Sequence, residues 1–188
     1  GSMRITDSKS AWGLVTWLLH WAMFVAMAVV FGIGLWMTGL DYYSPWYTTA
    51  PDIHRSVGML FLFALMFRFI WRLLNPKPSD AELSPSERAA SHVVHWGFYP
   101  LLLALLVSGY LISTANGEPV SVFGWFSVPA TVTGRGQESS AGYVHMLLAW
   151  AAVAFVALHA GAALKHHFWD KSHILSRMWA GPFSKRSD

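Results

Sequence analysis

Four histidines lie inside long apolar runs of this 188-residue sequence: His20, His54, His145 and His159. A polar side chain in hydrocarbon is costly, so it usually faces the interior of a helical bundle and has a partner there. Fourteen residues separate His145 from His159, and an α-helix turns by about 1400° over that interval, about 40° short of four full turns. We therefore expect both imidazoles on nearly one helix face, about 21 Å apart along the axis.

Depth within the apolar runs sorts these histidines into two pairs. His20 lies shortly after the start of its run and His159 precedes Lys165 by six residues, so both are expected about 9 Å from one side of the membrane. His54 opens its run at the opposite side, which matches His145. We call His20 and His159 the inner pair and His54 and His145 the outer pair, where inner means the predicted cytoplasmic side of the membrane. Two imidazoles that face each other in a helical bundle are typical of the axial ligands of a b-type haem.

Other uses of membrane histidines are interhelical hydrogen bonds, a transition-metal site and a proton pathway. Zinc and copper sites need several ligands clustered in one place, whereas the two pairs are expected at different depths. The sequence contains no cysteine, which excludes disulfides, iron–sulfur clusters, thiolate metal sites and catalytic thiols.

Composition indicates the structure that must position these residues. Hydrophobic residues make up 54% of the chain and charged residues 12%, against about 25% charged in a typical soluble domain. Apolar segments long enough to cross a bilayer occur at about 12–39, 54–74, 92–115 and 142–168. The sequence thus predicts an all-α integral membrane protein, a four-helix bundle in one domain over 1–188. Residues 1–2 are expected to be a tag remnant and 175–188 a flexible tail. The polar loop between the second and third spans is expected to open a helix at Ser86.

Basic residues set the predicted orientation, because cytoplasmic loops of membrane proteins are rich in Lys and Arg. Eleven of the thirteen lie on the side that holds both termini and the loop between the second and third spans. Only Arg55 and Arg135 lie on the other side, so both termini are expected to be cytoplasmic. The outer side also holds four carboxylates and has a formal charge of about −2. Because the net charge of +3 follows this topology, no nucleic-acid partner is expected.

Arg68 lies fourteen residues after His54, so it should point to the same side at the inner depth. A guanidinium there could neutralise haem propionates beside the inner pair. The alternative is an arginine that extends its charge to the interface at a helix end.

Further polar residues gather at the inner ends of the third and fourth spans. His166 follows His159 by seven residues and should share its face, which makes it the first candidate for contact with a quinone or for proton donation to one. Further candidates for this quinone site are Lys165, His95 and Trp169. The alternative is a solvated polar collar. On the outer side, the segment at 121–130 is expected either to lie in the membrane interface or to pack on the helix ends.

Four motifs resemble those of the bacterial cytochrome b561 family, and they extend over nearly the whole chain. They are WLLHW at 17–21, DIHRSVG at 52–58, HVVHW at 92–96 and GYVHMLLAW…LHAGAALKHHF at 142–168. The resemblance implies two haems b, with iron held by the inner and outer pairs, and electron exchange with ubiquinone in the inner membrane of a Gram-negative bacterium. Some members of the family oxidise superoxide at the outer face and pass the electrons to ubiquinone.

The expected function is therefore electron transfer across the inner membrane between an outer donor and ubiquinone, as an electron carrier or as an oxidoreductase of the superoxide:ubiquinone type. Superoxide is one candidate donor. The formal charge of the outer face does not favour capture of an anion, so a donor protein or a small reductant fits as well. The alternatives are a cytochrome b anchor subunit of a dehydrogenase or hydrogenase and a haem-free metal transporter. Expected partners are lipid, the quinone, the outer donor, and a partner protein or a second copy of the chain.

Overall fold

Four α-helices and one short hairpin make up the described part of the chain. The computed structural model describes residues 14–75 and 84–168. Trp169 and the predicted tag remnant and tail lie outside these residues. In chain order the elements are α1 (Leu14–Met37), α2 (Thr49–Leu74), α3 (Pro85–Ser113), β1 (Val120–Val122), β2 (Phe126–Val128) and α4 (Gln137–Phe168).

All four helices are long and apolar enough to cross a membrane. Many of their large apolar side chains are exposed, among them Phe24, Phe67 and Leu158. In a membrane this exposure has little cost, because lipid tails are as apolar as the side chains. The predicted all-α architecture with four membrane-spanning helices is confirmed.

Three helices begin earlier than the apolar pattern predicted. Helices α2, α3 and α4 start at Thr49, Pro85 and Gln137, five to seven residues before the predicted spans at 54, 92 and 142. The start of α3 has a clear cause. The hydroxyl of Ser84 accepts a hydrogen bond from the backbone N–H of Glu87 and donates one to its carboxylate, and such N-terminal capping stabilises a first turn that is polar.

The described residues divide into two compact units, and each unit contains one of the predicted histidine pairs. The first unit holds the inner pair together with Arg68 and His95, and the second holds the outer pair. The first unit comprises the described residues of 14–22, 66–75, 84–99 and 152–168, and the second comprises 23–65 and 100–151.

The hairpin belongs to the second unit and was not predicted. Strands β1 and β2 pair in antiparallel register, with Val120 opposite Val128. Val122 is fully buried, and with Val120 it packs against Met59 of α2. Tyr110 of α3 packs against the same cluster. The outer segment therefore packs on the helices, which is one of the two arrangements expected from the sequence, and it does so as a hairpin.

Ser56 connects α2 to this hairpin, and its loss should loosen the hairpin. The buried Ser56 hydroxyl accepts a hydrogen bond from the N–H of Phe123 at 3.0 Å. In Ser56→Ala that N–H loses its acceptor, which costs about 1–3 kcal/mol. We expect the amides of 120–128 to exchange hydrogen about five- to 150-fold faster in mass spectrometry. Ser121→Ala is the control, because Ser121 uses only its backbone carbonyl in the contact with Ser56. Equal exchange in both variants would contradict this role of Ser56.

Candidate functional site

The outer pair lies together in the second unit. The ring centres of His54 and His145 are 6.2 Å apart, and their planes are inclined at 84°. A metal–imidazole bond is about 2 Å long, so nitrogens on opposite sides of one metal lie about 4 Å apart and the ring centres about 6 Å apart. The separation of the two rings therefore fits two imidazoles that would hold one metal ion between them.

Hydrogen bonds hold both imidazoles of the outer pair in a defined orientation. The Nδ1 atom of His54 lies 2.8 Å from the carbonyl oxygen of Val30 in α1, and that of His145 lies 2.9 Å from the carbonyl oxygen of Leu105 in α3. A carbonyl oxygen can only accept a hydrogen bond, so Nδ1 is the protonated nitrogen in each ring. The lone pair of Nε2 is then available to a metal, as is usual for histidine ligands with a partner on the other ring nitrogen.

Ser108 adds a second acceptor for His145. Its buried hydroxyl donates a hydrogen bond of 2.7 Å to the carbonyl of Leu105 and lies 3.1 Å from Nδ1 of His145. Because the hydroxyl hydrogen points to the carbonyl, the oxygen accepts from the imidazole. The Nδ1–H of His145 is therefore shared between two acceptors.

The charges next to the outer pair come from α2. Arg55 interacts electrostatically with His54, and it forms an ion pair of 2.6 Å with Asp52. Both side chains of the ion pair are partly exposed, at 38% for Arg55 and 68% for Asp52. Water therefore screens this positive charge.

The inner pair lies in the first unit, where His20 and His159 are within electrostatic range of each other. Arg68 interacts electrostatically with both. The sequence predicted this placement from the fourteen-residue interval between His54 and Arg68. The Trp21 ring packs edge-on against His20 with ring centres 5.1 Å apart.

His95 lies closer to the inner pair than the sequence indicated. Its ring centre is 5.2 Å from that of His159, and the ring of Phe98 lies on the same histidine at 6.1 Å. The sequence grouped His95 with residues at the membrane interface, since the third span was expected to begin at 92. Because α3 begins at Pro85, His95 lies nearly three turns inside the helix.

The other predicted quinone contacts lie at the end of α4. Lys165 is exposed in the last turn of the helix. His166 belongs to α4, but its side chain lies outside the described residues, as does Trp169 altogether. The quinone site therefore remains a prediction from the sequence. Within 14–75 and 84–168, no three His, Asp or Glu side chains gather in the manner of a zinc or copper site.

Residues 11–181 match the sequence model of the family described as prokaryotic cytochrome b561. The chain belongs to this family. It is 43% identical over 178 residues to cytochrome b561 homolog 2 of Escherichia coli (strain K12), covering 94% of this chain and 95% of that protein. It is 30% identical over 162 residues to the probable superoxide oxidase CybB of Yersinia pestis, covering 85% and 90%. Cytochrome b561 homolog 1 of Escherichia coli (strain K12) is 28% identical over 166 residues, covering 85% and 92%.

As a prokaryotic cytochrome b561, the chain is a multi-pass bacterial membrane protein that binds haem b and takes part in electron transfer. The family resemblance inferred from the motifs is thereby confirmed. The outer pair is compatible with such a haem in two respects, the 6.2 Å between the rings and the carbonyl acceptors at both Nδ1 atoms.

Proposed function

We propose that this cytochrome b561 binds two haems b in a single domain and transfers electrons between a donor on the outer face of the bacterial inner membrane and ubiquinone. The observation that carries the proposal is the geometry of the outer pair, whose rings lie 6.2 Å apart with each Nδ1 bonded to a backbone carbonyl. A second histidine pair in the other unit, His20 and His159 with Arg68 beside them, supports the second haem.

Each proposed ligand has a defined task in this arrangement. His54 and His145 would hold the outer haem, and His20 and His159 would hold the inner one. When bound, haem supplies reversible one-electron chemistry at a potential that its ligands and surroundings set. Helix α4 provides one ligand to each pair, whereas α2 and α1 provide the opposite ligands. Arg68 would balance propionate charge beside the inner pair.

The backbone acceptors contribute to the electronic properties of the outer site. A hydrogen bond from Nδ1 to a carbonyl raises the basicity of Nε2 and fixes the ring orientation. Val30 and Leu105 provide these carbonyls. Within 14–75 and 84–168, Ser108 provides a further acceptor to His145 but not to His54. The two ligands of one haem are thus supported unequally.

Superoxide is the donor that we propose first, because a relative with 30% identity is named a probable superoxide oxidase. The formal charge of the predicted outer face does not attract an anion over distance. A donor protein or a small reductant is therefore the alternative. On the inner side, we propose that His166 contacts ubiquinone, with Lys165 and Trp169 nearby in sequence. His95 is a candidate for the same site through its contact with His159.

Purification of the chain alone after haem-replete expression tests this function. We expect a reduced-minus-oxidised spectrum of b-type haem, a haem content of two per chain, and rapid reoxidation of the reduced protein by a short-chain ubiquinone. A folded, monodisperse but colourless protein would exclude the cytochrome function. One haem per chain would exclude the dihaem arrangement, and reoxidation that required a second protein would favour the anchor-subunit alternative.

A further inference from the structure

Two glycines lie directly against the imidazoles of the outer pair. A Cβ atom built on Gly34 of α1 would lie 3.0 Å from Cε1 of His54, and one built on Gly109 of α3 would lie 3.0 Å from Cε1 of His145. Carbon atoms in favourable contact are about 3.5–4.0 Å apart. A side chain at either position would therefore crowd the imidazole beside it, which would have to shift by a few tenths of an ångström.

Each glycine lies four residues after the carbonyl that binds the same histidine. The Val30 carbonyl precedes Gly34, and the Leu105 carbonyl precedes Gly109. Residues four apart lie one above the other on a helix face. The edge of each ring from Nδ1 to Cε1 thus lies along one turn of the neighbouring helix. We call each such arrangement a carbonyl–glycine contact.

The same arrangement occurs twice in this unit. His54 of α2 packs on α1 and His145 of α4 packs on α3, with Nδ1–oxygen distances of 2.8 and 2.9 Å and the same 3.0 Å approach at the glycine. The other described helical glycines are less crowded, since a Cβ at Gly97 of α3 would lie 3.4 Å from Cε1 of Phe155. A Cβ at Gly32, Gly58, Gly142 or Gly161 would meet nothing within 4 Å.

We propose that Gly34 and Gly109 are positioning residues that set the orientation of His54 and His145, and thereby the axial geometry of the outer haem. This inference rests on the proposed function, in which these histidines are ligands. Because a hydrogen bond fixes Nδ1, a methyl group against Cε1 must tilt the ring about that bond. The tilt moves Nε2, which is the nitrogen that would bind the iron.

The variants Gly34→Ala and Gly109→Ala test the proposal in the haem-loaded protein, with Gly32→Ala as the matched control on α1. Low-spin ferric signals in electron paramagnetic resonance and an optical redox titration report each haem separately. We expect both test variants to shift the signal and the midpoint potential of the outer haem and to leave the inner haem unchanged. Gly32→Ala should match the original protein. Replacing glycine by alanine inside a helix favours the helix, and the unchanged inner haem reports correct folding.

The outcomes separate this inference from the function on which it rests. An unchanged outer haem in both alanine variants would overturn the positioning role while leaving a dihaem cytochrome intact. Equal changes at both haems, or the same change in Gly32→Ala, would also overturn it. If the original protein shows no bis-histidine signals, the proposed function itself is wrong. Because the two contacts involve different helices, a folding failure of one variant leaves the other as a complete test.

Discussion

His145→Ala is expected to remove the outer haem and to leave the inner one, so that about half of the bound haem is lost. His54 then remains as a single ligand, and the Leu105 carbonyl and Ser108 hydroxyl lose the imidazole that bonds to them. The methyl group of alanine provides no donor atom to a metal. Haem quantitation and the reduced-minus-oxidised spectrum of the purified variant measure this loss.

His159→Ala is the matched variant, because it lies on the same helix and changes the same residue type. It should remove the inner haem and leave the outer one. The spectra of the two variants should then differ from each other and together reproduce the original spectrum. If both variants lose all haem, the two pairs do not bind independently. If neither loses haem, these histidines are not the ligands.

The pairing of His54 with His145 could be predicted from the sequence for a physical reason. Hydropathy locates the spans, and the helical period gives the relative direction of residues on one helix. Those two properties are sufficient to match His54 with His145, which the structure places with ring centres 6.2 Å apart. They were also sufficient to place Arg68 on the side of the inner pair.

The groups that hold the imidazoles could not be obtained in the same way. Every residue has a backbone carbonyl, so the choice of Val30 and Leu105 depends on how neighbouring helices pack. The contacts of Gly34 and Gly109 also depend on helix packing, because the periodicity of one helix does not show which neighbouring helix packs against each of its faces. Among the groups that contact the two imidazoles, Ser108 is visible in the sequence as a polar residue within the apolar run of α3.

Local polar chemistry explains the remaining differences. Hydropathy finds apolar turns, so it placed the start of the third span at 92. The polar turn before it, which Ser84 and Glu87 stabilise, begins at Pro85, one residue from the helix start expected at Ser86. Hydropathy also assigned His95 to the membrane interface, whereas its ring centre lies 5.2 Å from that of His159. The hairpin escaped prediction because each strand has three residues, which is too short for an alternating pattern to stand out.

Arg68→Gln is expected to lower the midpoint potential of the inner haem, the second large effect that the structure predicts. A nearby positive charge favours the reduced iron, which carries one positive charge fewer. As an order of magnitude, a unit charge about 8 Å from a redox centre contributes about 2 kcal/mol at an effective dielectric constant of about 20. This energy corresponds to about 90 mV for one electron. Arg68→Lys keeps the charge but loses the planar group that binds carboxylates in two places, so its shift should be smaller.

Arg55→Gln tests whether the position of the arginine decides which haem is affected. Arg55 is on the same helix as Arg68 but interacts with His54 of the outer pair. It should move the potential of the outer haem instead of the inner one. The shift should be smaller than that of Arg68→Gln, since Arg55 and its partner Asp52 are partly exposed to water and such charges are screened. Optical redox titration of the three variants measures both haems at once. A rise in the inner potential of Arg68→Gln, or equal shifts of one haem by both glutamine variants, would contradict the placement of Arg68 as the charge that stabilises the reduced inner haem.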